Sequence, residues 1–113
     1  AEYAPVLFRE ADGSFPVCTA LLKTELKDGA VGNAISVVRV DGPEADDVCA
    51  VARAAAEALD LYGPIDIDVR RRADGTPVVL EINARFGANS AHAPELLDAA
   101  LAALSPLGAP SRA

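Results

Sequence analysis

Residues 2–9 (EYAPVLFR) and 15–24 (FPVCTALLKT) are short, apolar runs on either side of the turn-forming Ala11-Asp12-Gly13-Ser14. Such runs read as two strands of a hairpin, and Pro5 places the first at a sheet edge. Residues 34–40 (AISVVRV), rich in β-branched side chains, form a third strand after a loop marked by Gly29, Gly32 and Asn33. The period then changes. Val48, Val51, Ala52, Ala55, Ala58 and Leu59 recur every three or four residues, which predicts an amphipathic helix. Asp41-Gly42-Pro43 opens that helix, acids fill its first turn, and Gly63-Pro64 closes it. Strands follow at 65–71 (IDIDVRR) and 77–82 (PVVLEI) about an Asp74-Gly75 turn, then a polar loop over 83–92. A short Ala/Leu helix covers about Ala93 to Leu104, and residues 105–113 read as a loose tail or linker. The expected architecture is α+β: a mostly antiparallel sheet of about five strands with two helices on one face, residues 1–104 forming one lobe.

Length and composition narrow this further. With 113 residues, 51% of them hydrophobic and only 4% aromatic, the chain closes one modest aliphatic core. Seventeen acids against ten bases give a net charge of -7. That balance argues against nucleic acid or an anionic membrane as the main partner, since both need a cationic surface. No apolar run approaches the ~20 residues of a membrane span, and the opening Ala1-Glu2-Tyr3-Ala4-Pro5 is unlike a signal peptide. Cys18 and Cys49 form no CxxC motif. Two buried free thiols in a reducing cytoplasm are favoured over a bridge or a metal site.

The informative stretch is residues 63–87. If Asp74-Gly75 is a two-residue hairpin turn, Asp68 lies opposite Glu81 and Asp66 opposite Asn83, all on one face. The other face then carries Ile65, Ile67, Val69, Val78, Leu80 and Ile82. Facing carboxylates repel, so the polar face calls for a cation. Hard oxygen donors on neighbouring strands suit Mg²⁺ or Mn²⁺. Arg70 and Arg85 flank the cluster with guanidinium forks that suit phosphate or carboxylate. The competing reading is a solvated acidic face balanced by Arg70, Arg71 and Arg72. A three-residue loop would shift the register and scatter the acids.

The stretch Asp68 … Glu81-Ile82-Asn83-Ala84-Arg85 resembles the end of an ATP-grasp domain. The separation of Asp68 and Glu81 is similar to that in D-alanine–D-alanine ligases. The Glu-x-Asn-x-Arg form is similar to biotin carboxylase and to the carbamoyl phosphate synthetase large subunit. Residues 63–87 most resemble carbamoyl phosphate synthetase-like and PylC-type carboxylate–amine ligases. The resemblance implies that Asp68, Glu81 and Asn83 hold magnesium, although carbamoyl phosphate synthetase has Gln where Asp68 stands. It implies that Arg85 contacts the acceptor carboxylate or the transferring phosphoryl group. It also implies ATP contacts for Glu2, toward the ribose, and for Lys23, toward the triphosphate; a solvated strand-end lysine is the alternative for the latter. The loop FGANSAH distantly resembles the Asn-Ser-Gly-His stretch of the superfamily's purine-biosynthetic carboxylase. Asn89, Ser90 and His92 are thereby substrate candidates, with helix capping the alternative for His92.

The resemblance covers residues 2 to about 104, the second lobe of the fold. These residues include no glycine-rich phosphate loop and no first lobe. The chain is therefore expected to be an excised lobe or a split-gene product, inactive alone, whose N-terminal lobe comes in cis or as a separate chain. The partners implied are ATP, a small carboxylate and an amine or ammonia. Two other functions stay open: a non-catalytic interaction or dimerisation module of the same fold, and a simple divalent-cation binder.

Overall fold

The computed structural model describes residues 1–24, 36–86 and 93–108. Seven strands and two helices follow in the order β1 (Glu2–Tyr3), β2 (Val6–Arg9), β3 (Val17–Thr19), β4 (Leu21–Lys23), β5 (Val37–Arg39), α1 (Pro43–Ala58), β6 (Gly63–Arg71), β7 (Pro77–Asn83) and α2 (Pro94–Gly108). Every strand pairing is antiparallel. The α+β class is therefore as expected.

The strands lie in five rows. β1 and β2 are collinear, and so are β3 and β4, because Tyr3 faces Leu22 in the same register that sets Val6 against Thr19. β6 lies along β1 and β2 together, with Glu2 facing Arg70 and Val6 facing Asp66. β7 flanks β6 on one side of the sheet, and β5 flanks β4 on the other. Each broken row corresponds to one of the strands expected from sequence. Pro5 does not mark an edge. It sits mid-row, where its carbonyl still accepts from the Ile67 amide at 3.1 Å and only the reciprocal donor is missing.

The helices lie on opposite faces rather than one. Alternation along β2 makes this clear. Leu7 packs with Tyr3, Ile65, Ile67 and Val69 against Val48, Cys49, Ala52 and Ala56 of α1. Val6 and Phe8 point the other way and pack with Val17 and Leu21 against Ala93 and Leu96 at the start of α2. A central antiparallel strand with apolar residues at every position is buried on both sides, and VLF in β2 is such a run. α1 begins as its sequence predicts, after Gly42 at φ 70°, with Pro43 in the first turn and Glu44 and Asp46 complementing the helix dipole.

The β6–β7 hairpin departs from expectation twice, and the two departures cancel. Its turn is a three-residue loop, closed by Arg72 N to Thr76 O at 2.9 Å, with Gly75 at φ 92°. That shifts the near-turn register by one, so Val79 rather than Leu80 faces Val69. A bulge at Leu80 then restores the pairing. Beyond it Asp68 faces Glu81 and Asp66 faces Asn83, as expected. Leu80 is 51% exposed and outside the core.

Candidate active site

The face of the sheet that carries α2 is only partly covered by it. Beyond the helix lie Asp66, Asp68 and Arg70 of β6, Glu81 and Asn83 of β7, Glu2 of β1 and Lys23 of β4. The pairings across β1, β4, β6 and β7 bring them to one side. Directly facing side chains on neighbouring strands have Cβ atoms ~4.5–5.5 Å apart, so the Asp68 and Glu81 carboxylates are near neighbours. Asp66 is 9% exposed. Glu81 is exposed, and Asn83 half-buried.

The cation that answers this charge is Lys23. Its Nζ lies 3.0 Å from an Asp68 carboxylate oxygen and 3.6 Å from Glu2. Only 18% of the Lys23 side chain is exposed, so it is not a solvated strand-end lysine. Burial is the largest single influence on Lys23 and opposes its charge. Asp68 and Glu2 together outweigh it and hold the ammonium above its ordinary pKa. Arg70 clasps Glu2 from the other side, and this hydrogen bond chiefly keeps the Glu2 carboxyl below the usual range. The result is a chain of alternating charge: Arg70, Glu2, Lys23, Asp68.

The triple-arginine run does not balance the acids as a group. Arg71 points to the opposite face, where its guanidinium takes both oxygens of Asp47 at 2.7 Å and lies over the Tyr3 ring. Arg70 reaches Glu2 but makes no ion pair with Asp68 or Glu81 among the described residues. Arg85 is exposed just past β7, and its guanidinium donates to the Phe86 carbonyl at 3.1 Å. Asn89, Ser90 and His92 lie outside the described residues.

The donor set, two carboxylates and an amide on adjacent strands, has the chemistry of a hard-ion site. Among the described residues no three His, Cys, Asp or Glu side chains gather to hold a metal by themselves. A divalent ion would therefore depend on Asn83 and on oxygens from a ligand. It would also compete with Lys23 for Asp68. The residues fit such an ion provided that Lys23 gives up its contact.

One network beside the site had no clear signal in the sequence. Glu95, in the first turn of α2, accepts hydrogen bonds from Thr19 and Arg39. The Arg39 hydrogen bond, then that of Thr19, lowers its carboxyl to about 2 against the opposition of burial. This ties α2 to β3 and β5 and fixes the edge of the open polar face. Partners 56 and 76 residues apart in sequence are not visible from local pattern.

No family model matches the chain, and no curated protein does. Two solved structures share its fold. One is the ADP complex of purK, an N5-carboxyaminoimidazole ribonucleotide synthetase: TM-score 0.56, 19% identity, covering 77% of this chain. The other is the phosphoribosylaminoimidazole carboxylase ATPase subunit from Aquifex aeolicus: TM-score 0.57, 18% identity, covering 79%. The chain spans only 23% and 26% of their lengths. The likeness is one of fold: an antiparallel α+β sheet with two helices, shared with part of each of these enzymes.

Proposed function

We propose that this chain is the ATP- and magnesium-binding half of an ATP-dependent carboxylate–amine (or ammonia) ligase that works through an acylphosphate. The observation that carries the proposal is the Asp68–Glu81 cross-strand pair, with Asn83 on the same face and a lysine already held against it. The sequence Glu81-Ile82-Asn83-Ala84-Arg85 supports a carbamoyl phosphate synthetase-like or PylC-type ligase. The shared fold, with an ADP complex among its solved examples, supports nucleotide as the ligand.

Asp68, Glu81 and Asn83 are the residues that would hold magnesium, which screens phosphate charge when bound. Lys23 has two roles in this reading. Without nucleotide it neutralises Asp68. With nucleotide it turns from Asp68 toward the triphosphate, leaving that carboxylate free. Arg70 and Glu2 border the nucleotide on the β1 side. Arg85, bound only to a backbone carbonyl among the described residues, receives the acceptor carboxylate or the transferring phosphoryl group. The acceptor carboxylate takes the γ-phosphoryl group from ATP. The amine or ammonia then displaces phosphate. The lobe contributes charge and position, not a covalent step. The glycine-rich loop comes from a first lobe outside these residues, in the same product or another. Two free thiols support a cytoplasmic setting.

Isothermal calorimetry with Mn²⁺, with and without ATP, tests the proposal. The expected result is metal binding that tightens when nucleotide is present and is lost in Glu81→Gln. A second reading draws on the Lys23–Asp68 contact: a site whose charge is already satisfied serves as an interaction surface. Absence of metal binding in both conditions favours that reading. Metal binding indifferent to ATP favours a simple cation site.

A further inference from the structure

On the α1 side of the sheet, away from the acidic face, Cys18 of β3 and Cys49 of α1 meet. Both are free thiols. Cys49 Sγ donates to the Cys18 carbonyl oxygen at 3.4 Å. Cys18 packs against the same apolar cluster that contains Cys49. A cleft of about 320 Å³ is lined by both cysteines, with Arg53 and Asp46 of α1 in its wall.

The pair is more than two small buried hydrophobes. Cys49 is anchored on the Cys18 backbone, and the neighbouring thiols separate each other's acidities. The Cys18 thiol is pushed well up, first by the neighbouring Cys49 thiol and then by burial. The Cys49 thiol is lowered, first by the Cys18 thiol that donates to it once it ionises and then by the Arg53 charge, against burial and Asp46. Thiolate is the reactive form of cysteine, and of the two thiols Cys49 is the one whose ionisation is favoured. Among the described residues no group of three or more His, Cys, Asp or Glu able to hold a metal forms around the pair.

The geometry points to a peroxide-responsive dithiol: Cys49 is oxidised and closes with Cys18 into a disulfide that joins α1 to β3. The Cys49 thiolate attacks hydrogen peroxide, and the O–O bond breaks. One oxygen stays on sulfur as sulfenic acid, and the other leaves as water with the proton released by Cys49 and its own. The Cys18 sulfur then attacks the sulfenic sulfur. The S–O bond breaks, and the hydroxyl group leaves as water with the Cys18 proton. Two thiols and one peroxide give one disulfide and two waters. The Cys49 sulfur lies 3.4 Å from the Cys18 carbonyl oxygen, so the two residues are in the direct contact that a bridge starts from.

Reduced, folded protein is treated with hydrogen peroxide, alkylated, and mapped without reduction. The expected product is the tryptic peptide 10–23 joined to peptide 40–53. Intact mass falls by two hydrogens, both thiols are lost together, and dithiothreitol reverses the change. Cys18→Ser forms no bridge and accumulates a sulfenic acid at Cys49 that dimedone traps. Cys49→Ser reacts with peroxide several-fold more slowly. In denaturant the wild-type reaction slows toward that of Cys49→Ser. Two alkylated cysteines after peroxide, links between molecules only, or an equal rate for folded and denatured chain would overturn the proposal.

Discussion

The two faces of one sheet are built on opposite principles. On the α1 face, Leu7, Ile65, Ile67 and Val69 are fully buried, and a sixteen-residue helix covers them. There the side chains are held by exclusion of water and close packing. On the other face α2 covers only the part bearing Val6, Phe8, Val17 and Leu21, and the remainder is a string of paired charges. β6 serves both: Ile65, Ile67 and Val69 point into the core, and Asp66, Asp68 and Arg70 point away from it. The alternation of a single strand thus supplies a rigid back to a polar front. The contrast teaches where substitutions should cost stability and where they should cost binding.

The largest expected effect is on the closed face. Ile67→Ala, at a fully buried position, should lower unfolding free energy by roughly 2–5 kcal/mol in denaturant titration. A loss well below that range would mean the α1 face is loosely packed. On the open face, Lys23→Met removes the cation between Glu2 and Asp68. It should destabilise by about 1–2 kcal/mol, between exposed and buried ion pairs, because two part-buried carboxylates are left facing each other's charge. Mn²⁺ should recover part of that loss, whereas Ile67→Ala should not respond to metal.

The acid limb of stability sharpens the same comparison. The Glu95 carboxyl titrates near 2 when folded, against an ordinary value of 4.5. A depressed folded pKa contributes stability that is complete above the ordinary value and lost as pH falls toward 2. Glu95→Gln should therefore be less stable than wild type at pH 7, by about 0.5–1 kcal/mol, and should lose less between pH 5 and pH 2. Chemical denaturation at a series of pH values reads both effects. Arg70→Ala is the smallest: its side chain is 59% exposed, and removing its pair with Glu2 should change stability by less than ~0.5 kcal/mol.

Elements set by local pattern were legible in the sequence. The helix over Pro43–Ala58 follows from its apolar stripe and its Pro43 start, and the five strand rows follow from five short apolar runs. The facing of Asp68 and Glu81 was also legible, though through a turn one residue too short and without the Leu80 bulge that compensates for it. Strand periodicity fixes which residues share a face, but loop length and bulges set the offset, and Asp-Gly allows more than one loop. The unread features are those made by distant partners. Lys23 meets Asp68 only because β1 lies between β4 and β6. α2 docks on its own face through Thr19 and Arg39, and Cys18 meets Cys49 across the sheet–helix interface. Each of those contacts depends on strand order, which periodicity does not encode.

Paramagnetic broadening by Mn²⁺ with ATP, followed by NMR across the assigned backbone, bears most directly on the acidic face as a nucleotide–metal site. Signals of residues 66–70 and 81–83 should broaden at the lowest metal concentrations, while those of α1 stay sharp, and Glu81→Gln should abolish the selectivity. Broadening first at the acids of α1, or evenly over the whole surface, would contradict the account.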